Sequence, residues 1–369
     1  MSAAGLLEGR RICICVGAGG VGKTTTAAAI GVGMAKRGKR VAVVTIDPAR
    51  RLANALGLEQ LDNEPVRISA AALERLTAPD EPPLSGELWA MMLDPKQTFD
   101  ELIDRLSPSP QRAAEIKRNG VYQQLSSAVA GSQEFTAIEK LYELAEADFD
   151  LLVLDTPPAH SAAEFLNAPG RLSAFLGGGA LQVLLRPAGL GMRLLGVGAA
   201  PLLKALRLVT GVDLLSDLTA FFGLLGGMTE EFNARALRVQ DLLRSDQTAF
   251  LLVTSAQDRP IEEAVWFRQT LRERGMPFAG AVVNRVNAPV PRGEVPLDLP
   301  TGPAFPPDLA ARLDACLADH AVLAQRDATN IERLRTAFAG EPILLVPELA
   351  VDIHDAEGLL AIHRELFDE

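Results

Sequence analysis

The run Gly17-Ala18-Gly19-Gly20-Val21-Gly22-Lys23-Thr24-Thr25 fills every fixed position of the pattern G-x-x-x-x-G-K-[ST]. Glycines let backbone N–H groups turn inward around a phosphate, Lys23 adds a cation, Thr24 offers a hydroxyl to Mg²⁺, and a following helix aims its N-terminus at the anion. Gly17, Gly19 and Gly22 also satisfy G-x-G-x-x-G, the dinucleotide fingerprint, with Asp47 as its acid. That alternative leaves Lys23-Thr24 unexplained, whereas a triphosphate with its Mg²⁺ needs both. Asp47 and Asp155 each end an apolar run, 41–46 and 151–154. A hydrophobic strand closed by an aspartate holds the Mg²⁺ water shell in phosphate-loop enzymes. The competing role for either aspartate is a helix cap.

These side chains need strands to carry them and helices between. The apolar run Arg11 to Val16 predicts a strand before the loop, and Thr25 to Lys36 a helix after it, ending at Gly38. Further strands are expected at 41–46, 87–93, 151–154, 249–254, 279–284 and 342–346. Helices are expected from Arg50 to Leu58, over most of 99–147 with breaks at 107–110 and near 130–132, from Pro260 to Arg274, from Asp308 to Phe338 and from Asp355 to Phe367. Residues 59–86 and 287–307 read as polar, proline-bearing connections. Strands alternate with helices to the end, so the fold class is α/β: a doubly wound, mostly parallel sheet in one domain. Residues 1–161 and 245–369 form its nucleotide-binding part, and 162–244 a helical insertion.

That insertion is apolar and glycine-rich along its first two-thirds. Apolar excess suits ordinary packing against the sheet, and equally a hydrophobic groove for a client helix, with Met192, Leu194, Leu195, Phe221, Phe222 and Met228 as contacts. Both readings stand at this point. Arg186, Arg193, Lys204, Arg207, Asp213 and Asp217 leave it no charge-free run of the ~18 residues a spanning helix needs, so an integral membrane protein is not expected.

A 369-residue chain that is 48% hydrophobic can bury a large core. The net charge of −11, without a long basic run, argues against a nucleic-acid partner. Three cysteines are too few for a disulfide framework; Cys13 and Cys15 alternate with Ile12 and Ile14 as packing residues, and no C-x-x-C occurs beside the four histidines, which disfavours a thiolate metal site. Met1 to Arg10 lacks a charged start with an apolar core, so no secretory signal is read and a cytoplasmic location is expected.

Together these residues resemble the arsenical-pump and tail-anchored-protein-targeting ATPase family, within the phosphate-loop ATPases that carry a deviant loop. The resemblance rests on Gly17 to Thr25, on Thr45-Ile46-Asp47-Pro48-Ala49 as a first switch, on Asp155-Thr156-Pro157-Pro158 followed by Phe165-Leu166 as a second, and on Val282-Val283-Asn284 and the loop at Pro347 as the adenine side. It implies an ATPase using ATP/ADP and Mg²⁺, working as a homodimer or as a heterodimer with a related ATPase, and presenting an apolar surface to a protein client. By that similarity Asp47 orients and deprotonates the attacking water. Lys23 and the amides of Gly19, Gly20, Val21, Gly22, Thr24 and Thr25 hold the phosphates. Thr24 ligates Mg²⁺ with Asp155 and Asp47 in its outer shell, Asn284 bonds the adenine edge, and Pro347 packs near the base. Asn284-Arg285-Val286-Asn287 is also not the Asn-Lys-x-Asp that reads guanine.

Three departures qualify the resemblance. Ala18 stands where the family carries a signature lysine that reaches the partner's nucleotide. A cation of that kind is worth ~10³-fold or more in rate, so slow or partner-dependent hydrolysis is expected. The alternative it motivates is a weakly or non-hydrolytic ATP-binding regulatory subunit paired with a lysine-bearing paralogue. His160, in Pro158-Ala159-His160-Ser161, is displaced by one position from the family's Gly-His-Thr run and is assigned no role. The metalloid-binding cysteines and the C-x-x-C clasp are missing, which disfavours arsenite transport. Membrane-positioning and DNA-partitioning ATPases share the loop, but the acidic C-terminal residues 364–369 and the overall charge disfavour them.

Overall fold

Apolar runs bounded by turn residues become strands that are buried on both faces. The computed structural model describes residues 2–47, 51–69, 72, 84–120, 122–123, 132–157, 223–224, 228–290, 307–349 and 356–367. In chain order the elements are α1 (Ala3–Leu6), β1 (Ile12–Val16), α2 (Lys23–Lys36), β2 (Arg40–Thr45), α3 (Arg51–Ala55), β3 (Val66–Arg67), β4 (Glu87–Met92), α4 (Pro95–Leu106), α5 (Pro110–Arg118) and α6 (Ser132–Ala145). They continue with β5 (Leu151–Asp155), α7 (Thr229–Arg244), β6 (Thr248–Ser255), α8 (Asp258–Glu273), β7 (Phe278–Val286), α9 (Pro307–Phe338), β8 (Ile343–Pro347) and α10 (Ala356–Phe367).

The strands form one eight-stranded sheet in the order β3-β4-β2-β5-β1-β6-β7-β8. Every pairing is parallel except β3 with β4. From β1 the chain passes to β2 on one side, and from β5 it later crosses β1 to reach β6 on the other, so the order reverses about β1 and its carboxyl end is a switch point, where ligands bind in open α/β sheets. Along β1, Ile12, Ile14 and Val16 join one core with Leu152, Leu154, Phe250 and Leu252. Cys13 and Cys15 join the opposite core with Leu151, Val153, Leu251 and Val253. Burial on two faces is why these strands read as continuous apolar runs.

Helix breaks follow capping chemistry. Asp94 accepts from the Gln97 amide ahead of Pro95, and Ser109 accepts from the Arg112 amide ahead of Pro110, which separates α4 from α5 at the expected place. Residues 307–338 form one unbroken helix of 32 residues, whose interior contains no glycine or proline. Strand β3, inside the stretch read as a loop, carries no apolar signal because both its side chains are exposed and backbone pairing to β4 holds it.

Two helices brace the helix that follows the loop. α10 lies along α2, with Phe367 against Gly33, where an added Cβ would come 2.3 Å from the ring. Arg37, the C-cap of α2, stacks over the Phe367 ring at 4.6 Å, and α1 contacts both α2 and α10. Most of the apolar segment read as an insertion, including Met192, Leu194, Leu195, Phe221 and Phe222, lies outside the described residues, so its choice between groove and core stays a proposal. Met228 is a correction to the groove reading: it is buried, with Val239 and Leu243 of α7, in the core that holds Ile14. Among the described residues no helix is long and apolar enough to cross a membrane.

Candidate functional site

The loop between β1 and α2 is shaped by backbone that only glycine adopts. Gly17 has φ +157°, and a Cβ there would stand 1.9 Å from the Val253 carbonyl oxygen of β6. Gly22 has φ +98° at the N-cap of α2, and its Cβ would stand 2.3 Å from the Asn284 amide nitrogen. Substituting either would push the loop off the sheet edge. The amides opening α2 carry the positive end of its dipole, which favours an anion there.

Lys23, in the first turn of α2, is buried, and its ammonium donates to the carbonyl oxygens of Gly17 (3.1 Å) and Ala18 (2.8 Å). Burial lowers its pKa from the usual lysine value, against the opposing pull of the Asp155 and Asp47 charges. Ala18 is itself buried among apolar side chains, so this position of the loop carries no charge.

Two hydroxyls converge on Asp155, at the carboxyl end of β5. Thr24 Oγ1 donates to Asp155 Oδ2 at 2.7 Å, and Thr45 Oγ1, from the neighbouring strand β2, donates to the same oxygen at 2.9 Å. The register that sets Thr45 opposite Asp155 makes the second contact. Burial raises the Asp155 pKa above the usual carboxylate value, while the two threonine hydroxyls and Lys23 oppose it. Asp47 follows β2: its amide donates to Thr45 Oγ1 at 3.2 Å, and its carboxylate pairs with Arg51 at 3.1 Å. Thus Thr24, Asp155, Thr45, Asp47 and Arg51 form one chain of polar contacts along the sheet edge. The sequence pointed to Thr24, Asp155 and Asp47; the part of Thr45 depends on strand register, which no motif prints.

On the other side of β1, Asn284 ends the buried part of β7. Its amide nitrogen donates to the Val21 carbonyl at 2.9 Å and its Oδ1 accepts from the Arg285 amide at 3.0 Å, so it ties the loop to β7. Arg285 turns at φ +58°. A cleft of about 540 Å³ opens here, lined by Gly19, Gly20, Val21, Arg285, Arg326 and Glu348 among others. Pro347 closes β8 opposite Val286, immediately before Glu348. At the cleft floor, buried Asp327 of α9 accepts from the backbone and side-chain amides of Asn287 at 2.9 and 2.8 Å and from Arg326 at 2.7 Å. Burial would raise its pKa, but the bonds from Asn287 and Arg326 win and hold it below the usual carboxylate range. No sequence signal pairs Asp327 with Asn287; packing of α9 does. A larger cavity, about 910 Å³ between α8 and α9, shares no residue with the loop and has no part in this chemistry.

Cys13 and Cys15 are packing residues, whereas Cys316 of α9 is exposed. Cys13 and Cys15 are wholly buried, and the bond to Cys13, together with burial, keeps the Cys15 pKa well above its usual value, in the unreactive thiol form. Pro48, Ala49, Pro158, His160, Phe165 and Leu166 lie outside the described residues.

A family model described as anion-transporting ATPase matches residues 10–292. Among curated relatives, an ATPase get3 of Schizosaccharomyces japonicus is 32% identical over 154 residues, 42% of each chain. A putative arsenical pump-driving ATPase of Halobacterium salinarum is 30% identical over 183 residues, 49% of this chain and 27% of that one. ATPase BagA of Mycobacterium tuberculosis is 22% identical over 286 residues, 76% of this chain and 66% of the relative. The chain thus spans less than half the length of the first two. The family match runs from the strand before the loop past Asn284 and so takes in Lys23, Thr24, Asp47 and Asp155: this chain belongs to the anion-transporting ATPase family.

Proposed function

We propose that this protein binds Mg²⁺-ATP at the loop and hydrolyses the bond to the γ-phosphate. The observation that supports this best is the convergence of the Thr24 and Thr45 hydroxyls on Asp155, beside a helix N-terminus and a buried lysine. Hydroxyl and carboxylate oxygens are the donors a hard cation such as Mg²⁺ takes, and such sites use few carboxylates because phosphate and water supply the remaining ligands. Among the described residues no three His, Cys, Asp or Glu side chains are grouped to hold a metal by themselves. Thr24 would ligate the ion, with Asp155 and Asp47 in its outer shell; bound there, it neutralises phosphate charge.

Lys23 and the amides of Gly19 to Thr25 hold the phosphates. Asp47 orients a water and accepts its proton as the oxygen bonds to the γ-phosphorus and the bond to the ADP oxygen breaks. Asn284 and Pro347 bracket the base; Asn284 keeps one N–H and further acceptor capacity beyond its two protein bonds. The protein works in the cytoplasm as a nucleotide-switched dimer, of two copies or with a related ATPase. Its apolar segment within 162–244 is offered to a protein client. These finer points follow from the family resemblance and from the composition of that segment.

The test is steady-state hydrolysis with ATP binding measured in parallel. Asp47→Asn is expected to retain ATP while turnover collapses; a wild-type chain that binds no adenine nucleotide contradicts the proposal. A second reading has its own observation, the buried, uncharged Ala18: the chain is a weakly hydrolytic regulatory subunit that needs a lysine-bearing paralogue. Robust turnover by the isolated chain argues against it.

A further inference from the structure

We propose that Arg51 is a catalytic cation supplied from within the chain, which leaves the Asp47 carboxylate for the γ-phosphoryl oxygens as the transfer proceeds. The inference rests on the ATPase reading above and deepens it. Charge spreading over a transferred phosphoryl group calls for cations at its outer oxygens, and an arginine from the same chain can serve. The described cations around this site divide by position. Lys23 is held on the carbonyls of Gly17 and Ala18. Arg285 and Arg326 line the cleft on the β7 side, and Arg326 is bound to Asp327. Arg51 alone of these stands on the β2 side, beside the carboxylate that receives the proton.

Its setting fits a residue that changes partners. Arg51 opens α3, its side chain is 67% exposed, and it meets Asp47 at 3.1 Å in a surface ion pair. Such pairs hold weakly in water, whereas a guanidinium donates well to the more highly charged phosphate oxygens. Asp47 is joined through Thr45 to Asp155, and Asp155 to Thr24, so the pair lies at the end of the network that would hold the metal. When Arg51 turns to the phosphate, its charge no longer neutralises the Asp47 carboxylate. Water oxygen bonds to phosphorus, the bond to the bridging oxygen breaks with its electron pair going to ADP, the proton goes to Asp47, and Arg51 N–H groups donate to the non-bridging oxygens.

The experiment uses the full chain with Arg51→Ala and Arg51→Lys. It measures kcat and KM for Mg²⁺-ATP, and affinity for ADP with and without aluminium fluoride, which mimics the phosphoryl group in transfer. Expected is a fall in kcat of about 10²-fold or more in Arg51→Ala, a smaller fall in Arg51→Lys, and matching loss of the fluoride-dependent affinity. Affinity for ADP alone should stay within about threefold, and added guanidinium should restore part of the Arg51→Ala rate. Wild-type turnover with undiminished Arg51→Ala turnover overturns the role of Arg51, as does equal weakening of ADP with and without fluoride, the mark of a structural part. A wild-type chain that does not hydrolyse ATP overturns the ATPase reading and this inference with it.

Discussion

Single side chains carry most of the chemistry, and they can be tested singly. Asp47→Asn keeps the size of the side chain but removes the charge of the proposed proton acceptor; kcat should fall about 10²–10⁴-fold while ATP affinity, read by titration calorimetry, is retained. Asp327 makes a different prediction, because its charge serves shape. Asp327→Asn leaves one oxygen for the donors of both Asn287 and Arg326 and sets an N–H group against one of them, and should cost about 1–3 kcal/mol in urea denaturation at neutral pH. Its folded pKa is lowered from 3.8, so the wild-type contribution is present above that value and is lost as pH falls through the lower folded value. The gap between wild type and Asp327→Asn should therefore close only at pH below 3.8; a gap already closed at pH 5 contradicts the assignment. Lys23 and Thr24 were legible in the sequence because a fixed local spacing carries them, and Asp155 because it closes the apolar run 151–154. Thr45, Asn287 and Asp327 were not, because their partners come from strand register and from a helix packed 40 residues away.

Elements position those residues, and the sequence announced most of them. Strands buried on two faces show as unbroken apolar runs, and proline after Asp94 or Ser109 marks a helix start, so order and class were readable from pattern alone. Strand β3 escaped because pairing, not side-chain burial, makes it a strand. How helices brace one another was also hidden. On α2, Gly33→Val would press on Phe367 of α10 and should cost about 1–3 kcal/mol as overpacking, seen as a lower denaturation midpoint. Between α6 and α7, buried Arg235 donates to buried Glu139, whose pKa burial raises against the Arg235 charge. Arg235→Met alone strands a buried carboxylate and should cost about 3–5 kcal/mol, whereas pairing it with Glu139→Met should recover most of that loss. Equal stability of the single and double variants would show that the pair does not hold α7.

At the scale of the whole molecule, one sheet brings residues from β1, β2, β5 and β7 to a common edge at its switch point. That edge is the meeting place of loop, hydroxyls and carboxylates, and its purpose is the central claim. A ligand that binds only the folded protein raises its stability by mass action, so ATP with Mg²⁺ should raise the melting temperature of wild type and of Asp47→Asn alike. The most direct measurement is calorimetric titration of the purified chain with Mg²⁺-ATP, beside Lys23→Ala and Thr24→Ala. The account predicts saturable binding by wild type, a loss of at least about tenfold in affinity for Lys23→Ala, and a loss of the magnesium dependence in Thr24→Ala. Undetectable binding by wild type, or equal affinity in Lys23→Ala, would contradict it.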